Sequence, residues 1–75
     1  MSLTLKYDSV GDILYITKVP PFREQESEEV DDCIIARFNP TTDEVEGLEI
    51  LFWSKRLASG EPLILPVTAD LRLAV

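Results

Sequence analysis

The sequence predicts a mainly β domain: a four-stranded antiparallel meander with a short helical turn and an apolar C-terminal extension. An α+β arrangement is the alternative class. Three observations carry the prediction. Leu3, Leu5 and Tyr7 alternate with Thr4 and Lys6, the period-two pattern of a half-buried strand. Turn-forming residues separate the apolar runs, at "DSVGD", "PPFREQ" and "NPTTDE". Pro62 and Pro66 deny the C-terminal segment a long helix.

The elements follow in order. The first strand covers 3–7. In "DSVGD" the short side chains of Asp8, Ser9 and Asp12 cap loose amides, and Gly11 tolerates positive φ. "ILYITKV", 13–19, is rich in β-branched and aromatic residues and forms the second strand. It pairs with the first as a hairpin, and Pro20 and Pro21 end it. The acidic stretch 24–32 reads as a solvated loop. "CIIARF", 33–38, is the third strand. After the "NPTTDE" turn the fourth covers 45–53, with Leu48, Ile50 and Phe52 on one face and Glu49 on the other. Ser54 caps a helical turn over 54–58, and Gly60 ends it. Farther on, "LIL" at 63–65 reads as a short edge strand and "TADLRLA" as a last helical turn capped by Thr68. With no repeat or composition break, residues 1–75 form a single domain.

A chain of 75 residues has a thin core, since a domain this small buries only about 60–65% of its unfolded surface. Folds of this size need a staple: disulfides, a metal or a partner subunit. One cysteine excludes an intrachain disulfide, and the lack of histidine removes the commonest zinc ligand and general base. Self-association is the staple left. The second, third and fourth strands carry apolar residues on both faces, which a sheet with one wet face does not. The cover is the C-terminal segment, with Leu63, Ile64, Leu65, Val67, Leu71, Leu73 and Val75, or a second copy, or both. A two-fold homodimer is the simplest assembly.

The formal charge of −7 opposes nucleic-acid binding and favours a basic protein partner. The N-terminus lacks the apolar core of a signal peptide. No apolar run reaches the roughly 18–20 residues of a membrane span. A cytoplasmic protein is expected.

Candidate sites are few. Asp8 and Asp12 resemble a carboxylate pair, but the D-x-D-x-D-G rhythm of a calcium loop is absent. A turn-shaping role is expected. The acids Glu24, Glu26, Glu28, Glu29, Asp31 and Asp32 form either a landing pad for a basic partner or a charged guard on a strand edge. Cys33 follows acids, which disfavour a reactive thiolate, and is expected to be a small core or interface residue. Phe52, Trp53 and Arg56, with Leu63, Leu65, Leu71 and Leu73 of the tail, are interface candidates. Arg56 is placed to stack on an exposed ring. No catalytic residue, metal or cofactor is expected. The leading function is therefore a non-catalytic interaction module. The alternative is a small carboxylate-based metal-binding or hydrolytic module using Asp8, Asp12, Asp31 or Asp32.

Three motifs point further. "YDSVGDILYI", "EEVDDCIIARF" and "VEGLEILFWSKRL" occur in that order. Their pattern resembles the small prokaryotic family catalogued as domain of unknown function 2283, over roughly residues 3–57. The matching positions are Tyr7 and Asp8; Asp12, Leu14, Tyr15 and Ile16; Val30, Asp31 and Asp32; Gly47, Glu49, Ile50 and Leu51; and Ser54 to Leu57. The resemblance implies no defined activity. Family members often lie beside small toxin-like genes, which implies an antitoxin-like role for some. Two departures stand out. Cys33 replaces a usual glycine, and Phe52 and Trp53 stand where small or acidic residues are common. The segment from Ala58 onward lies outside the resemblance.

Overall fold

The computed structural model describes residues 2–74; Val75 lies outside them. Within these residues the chain forms five strands and one helix. They are β1 Thr4–Asp8, β2 Ile13–Thr17, β3 Glu26–Asp31, β4 Ile34–Phe38, β5 Val45–Leu51 and α1 Trp53–Ser59. All strands join one antiparallel sheet of order β1-β2-β5-β4-β3.

Two expectations are corrected here. The acidic stretch is not a loop but the strand β3, exposed along its whole length. Its residues lack alternation and have weak strand propensity. Hairpin pairing with β4, Glu28 against Ala36 and Glu29 against Ile35, makes it a strand nonetheless. The sheet is also not a meander, because β2 pairs with β5. The chain leaves β2 through Pro20 and Pro21 and crosses to the far edge before returning through β4 and β5. Burial explains the order: β5 and β4 carry apolar residues and take inner positions, whereas an all-exposed acidic strand is tolerated only at an edge.

The register defines two faces. Leu14 and Ile34 both flank Ile50, and Ile16 and Ala36 both flank Leu48. This face holds the buried core, with Ile34 and Ile50 each 1% exposed. The C-terminal segment lies across it. Leu63, Leu65 and Val67 pack on Ile34, Ala36 and Leu48, and Ile64 between them points to solvent. Residues 63–65 form no strand, and 68–74 are not helical. Pro62 and Pro66 cannot donate to a ladder, and three apolar contacts hold the segment without one.

The opposite face carries half-buried Ile13, Tyr15, Ile35 and Leu51, and one end of it is polar. There Arg37 sits opposite Gly47, at a bulge that also brings in Glu46. The Arg37 guanidinium donates to Gln25 Oε1 at 2.9 Å and Thr17 Oγ1 at 3.2 Å. Gln25 Nε2 donates to Glu46 Oε1 at 3.0 Å, and Arg37 Nε lies 3.6 Å from Glu49 Oε2. Arg37 and Glu46 are buried. The network ties the β2–β3 crossover down onto the sheet. Gly47 is required beneath it, since a Cβ would overlap the guanidinium.

Candidate functional site

The local chemistry of the first hairpin fixes one end of the molecule. Asp8 Oδ1 accepts from the amides of Val10 at 3.0 Å and Gly11 at 3.3 Å, an Asx turn. Asp12, at φ 56, turns away from it toward α1. Its Oδ1 accepts from Tyr7 Oη at 2.7 Å and from the Ser54 amide at 2.9 Å; its Oδ2 accepts from Ser54 Oγ at 2.7 Å. The Asp12 carbonyl accepts from the Trp53 amide at 3.1 Å. The residue preceding the helix, Phe52, offers no side-chain cap. Asp12 supplies it from the β1–β2 turn, satisfying amides that a helix start leaves open. Ser54, expected to be the cap, is instead a donor to it. The Ser54 and Tyr7 donors hold the Asp12 carboxyl below the ordinary carboxylate value, and the same bond pushes the Tyr7 phenol up. The two aspartates therefore do separate structural work. Among the described residues no three acidic or sulfur side chains gather as a metal site would require.

The same end carries the aromatic candidates. Phe52 is 51% exposed and sits at φ 55, a left-handed conformation costly for a bulky residue. It has left the sheet and does not share the Leu48–Ile50 face. Trp53 is half-buried as the first helical residue. Lys55, not Arg56, covers the Phe52 ring, with Nζ 5.5 Å from its centre. Arg56 instead donates to the backbone carbonyls of Asp32 and Leu51, clamping the β3–β4 turn to the helix. Cys33 is half-buried in that turn at φ 56, a turn residue rather than a core one. The resemblance puts glycine at this position, and the left-handed backbone is the physical reason. Burial and the adjacent Asp32 carboxylate push its thiol up, away from reactivity. Asp32, Cys33, Phe52, Lys55, Arg56 and Ser59 line a shallow hollow of about 400 Å³.

The acidic candidates are brought together in a different place. Glu26, Glu28, Glu29 and Asp31 lie along β3, with Glu24 leading in and Asp32 leading out. All six are exposed. Because β3 ends the sheet order, its outer backbone edge has no strand beside it among the described residues. Sequence reasoning found the acids and set them beside a strand edge, but read them as a loop rather than as the edge strand itself. The signal was the "DDC" turn, which implies a hairpin partner upstream of "CIIARF".

The tail candidates divide. Leu63 and Leu65 are seated on the core, while Leu71 and Leu73 are 75% and 92% exposed. No helix among the described residues is long and apolar enough to cross a membrane.

The family model described as "Protein of unknown function (DUF2283)" matches residues 4–54. The chain belongs to this family. The match covers all five strands and the start of α1, so the sheet and the Asp12–Ser54 pair lie inside the family region. The rest of the helix and the tail lie beyond it. No curated protein and no solved structure matches the chain.

Proposed function

We propose that the protein is a non-catalytic protein-interaction module whose β3 edge receives an extended, basic segment of a partner. One observation carries the reading: β3 is a fully exposed acidic strand at the open edge of the sheet. A free edge offers unpaired amides and carbonyls to an added strand, and alternate side chains then set specificity. The edge carboxylates deter neutral or acidic strands, including a second β3, and favour a basic one. An antitoxin-like role, with a small basic toxin as the partner, is the specific form that the family resemblance suggests. A cytoplasmic, prokaryotic setting and self-association as a homodimer belong to the same proposal. The metal-binding or hydrolytic alternative is disfavoured because both carboxylate oxygens of Asp12 and Oδ1 of Asp8 are engaged by amides and hydroxyls.

Calorimetric titration tests the edge. The probe is an eight-residue peptide alternating lysine with valine, compared with its glutamate counterpart. The lysine peptide should bind the native chain and lose affinity as salt rises. It should bind weakly to a Glu26→Gln, Glu28→Gln, Glu29→Gln variant. Equal binding of both peptides, or no effect of the substitutions, would overturn the reading.

A further inference from the structure

The register of β3 fixes which face of the sheet edge carries its charge. Residues directly opposite each other on adjacent antiparallel strands share a face. Ile34 and Ala36 belong to the core face, and by alternation so does Phe38. Asp31 stands opposite Ile34, Glu28 opposite Ala36 and Glu26 opposite Phe38. Ser27, opposite Arg37, and Glu29, opposite Ile35, lie on the other face.

A bulge produces the third of these acidic placements. The register shifts between Glu29 and Asp31, so Val30 is an extra residue in β3. Uninterrupted pairing would set Val30 opposite Ile34 and turn Asp31 to the other face. With the bulge, β4 acts as an even ruler: Ile34, Ala36 and Phe38 each have an acid opposite. The core face of the edge therefore carries carboxylates on successive rungs, about 7 Å apart, the rise of two residues along a strand. The other face carries Glu29 alone, beside a serine. Glu26, Glu28 and Asp31 are exposed and make no ion pair among the described residues.

We infer that β3 reads a partner strand by face: cations at alternate positions, i, i+2 and i+4, over Glu26, Glu28 and Asp31, with uncharged residues between them. The inference rests on the strand-accepting edge proposed above and names the sequence pattern that the edge selects. Charge complementarity fixes the occupant. Like charges in a row repel one another, and an added strand that puts one cation on each rung relieves the repulsion. Side chains of an added strand return to the same face every second residue. Alternating cations therefore meet Glu26, Glu28 and Asp31 together. A run of consecutive cations turns every second one toward Ser27 and Glu29, where a single acid waits.

The test is calorimetric titration of the full-length chain with two eight-residue peptides of one composition. In one, lysine alternates with valine; in the other, the lysines form one block and the valines a second. Both peptides carry the same charge, so attraction to net charge alone treats them alike. The alternating peptide should bind about fivefold tighter than the blocked one, the scale of an opposite-charge cross-strand pair. Glu28→Gln should weaken the alternating peptide about threefold, and Glu29→Gln less than about twofold, although each removes one charge from the same strand. Equal binding of the two peptides, or equal losses at positions 28 and 29, would overturn the face reading and leave the open edge standing. Binding of neither peptide would overturn both.

Discussion

Asp12 and Ser54, 42 residues apart, hold each other through two contacts: the Ser54 amide on Oδ1 at 2.9 Å and the Ser54 hydroxyl on Oδ2 at 2.7 Å. The pair joins the β1–β2 turn to the first turn of α1, and Tyr7 adds a third donor. A helix of seven residues has little stability of its own. Its position depends on this junction and on the Arg56 clamp.

The junction should be pH-dependent. The Asp12 carboxyl titrates below its unfolded value, so it stabilises the fold where the unfolded carboxyl is already charged, above about pH 3.9. That contribution fades as pH falls through the lower, folded value. Asp12→Ala should therefore lower Tm at pH 7, and the gap from the native chain should narrow as the pH falls below the range in which the unfolded carboxyl is charged. Thermal melts monitored by circular dichroism check this. A gap that stays constant with pH would mean that Asp12 acts only through packing.

Two of the left-handed residues, Phe52 and Cys33, should improve on replacement by glycine. Phe52→Gly removes the steric penalty at φ 55 and should stabilise the chain by about 1 kcal/mol. Cys33→Gly should likewise raise Tm. Urea denaturation reads the first and thermal melting the second. If Phe52 anchors a partner, Phe52→Gly will lose binding while gaining stability.

Gly47 and Arg37 should be coupled. Gly47→Ala forces the guanidinium off Gln25 and Thr17 and should cost about 1–3 kcal/mol. In an Arg37→Ala background the same substitution should cost much less. A double-mutant cycle measures the difference. Additive losses would show that something other than the guanidinium requires the glycine.

The seated tail predicts an alternating response. Leu65→Ser should destabilise by about 1–2 kcal/mol, because its half-buried side chain leaves the core face. Ile64→Ser, at 81% exposure, should stay within about 0.5 kcal/mol. Equal losses at both positions would contradict the seating.

These positions also show what the sequence made legible. Alternation and turn chemistry located β1, β2, β4 and β5 within two residues at each end, because β1 alternates apolar with polar residues and β2, β4 and β5 bury apolar ones. β3 escaped because its side chains all face solvent, so no periodic signal exists; backbone pairing with β4 makes it a strand. The strand order was hidden for a similar reason: proximity favours pairing consecutive strands, whereas burial sends the acidic strand to the edge. Asp12 was legible as a structural residue but not as a cap for α1, since nothing local links it to Ser54. The tail was recognisable as cover from Leu63, Leu65 and Val67, yet the helical reading of 68–74 overvalued Thr68 as a cap. An N-cap without apolar residues packed behind it does not hold a helix.

The most direct test of the central claim is amide hydrogen exchange along β3, read by NMR with and without the lysine–valine peptide. The outer edge of Glu26–Asp31 has no strand beside it among the described residues. Added pairing should slow exchange there, with β1 at the opposite edge unchanged and the protection lost at high salt. Protection confined to β1 or to the Phe52–Arg56 end, with β3 amides exchanging as before, would contradict a strand-accepting acidic edge.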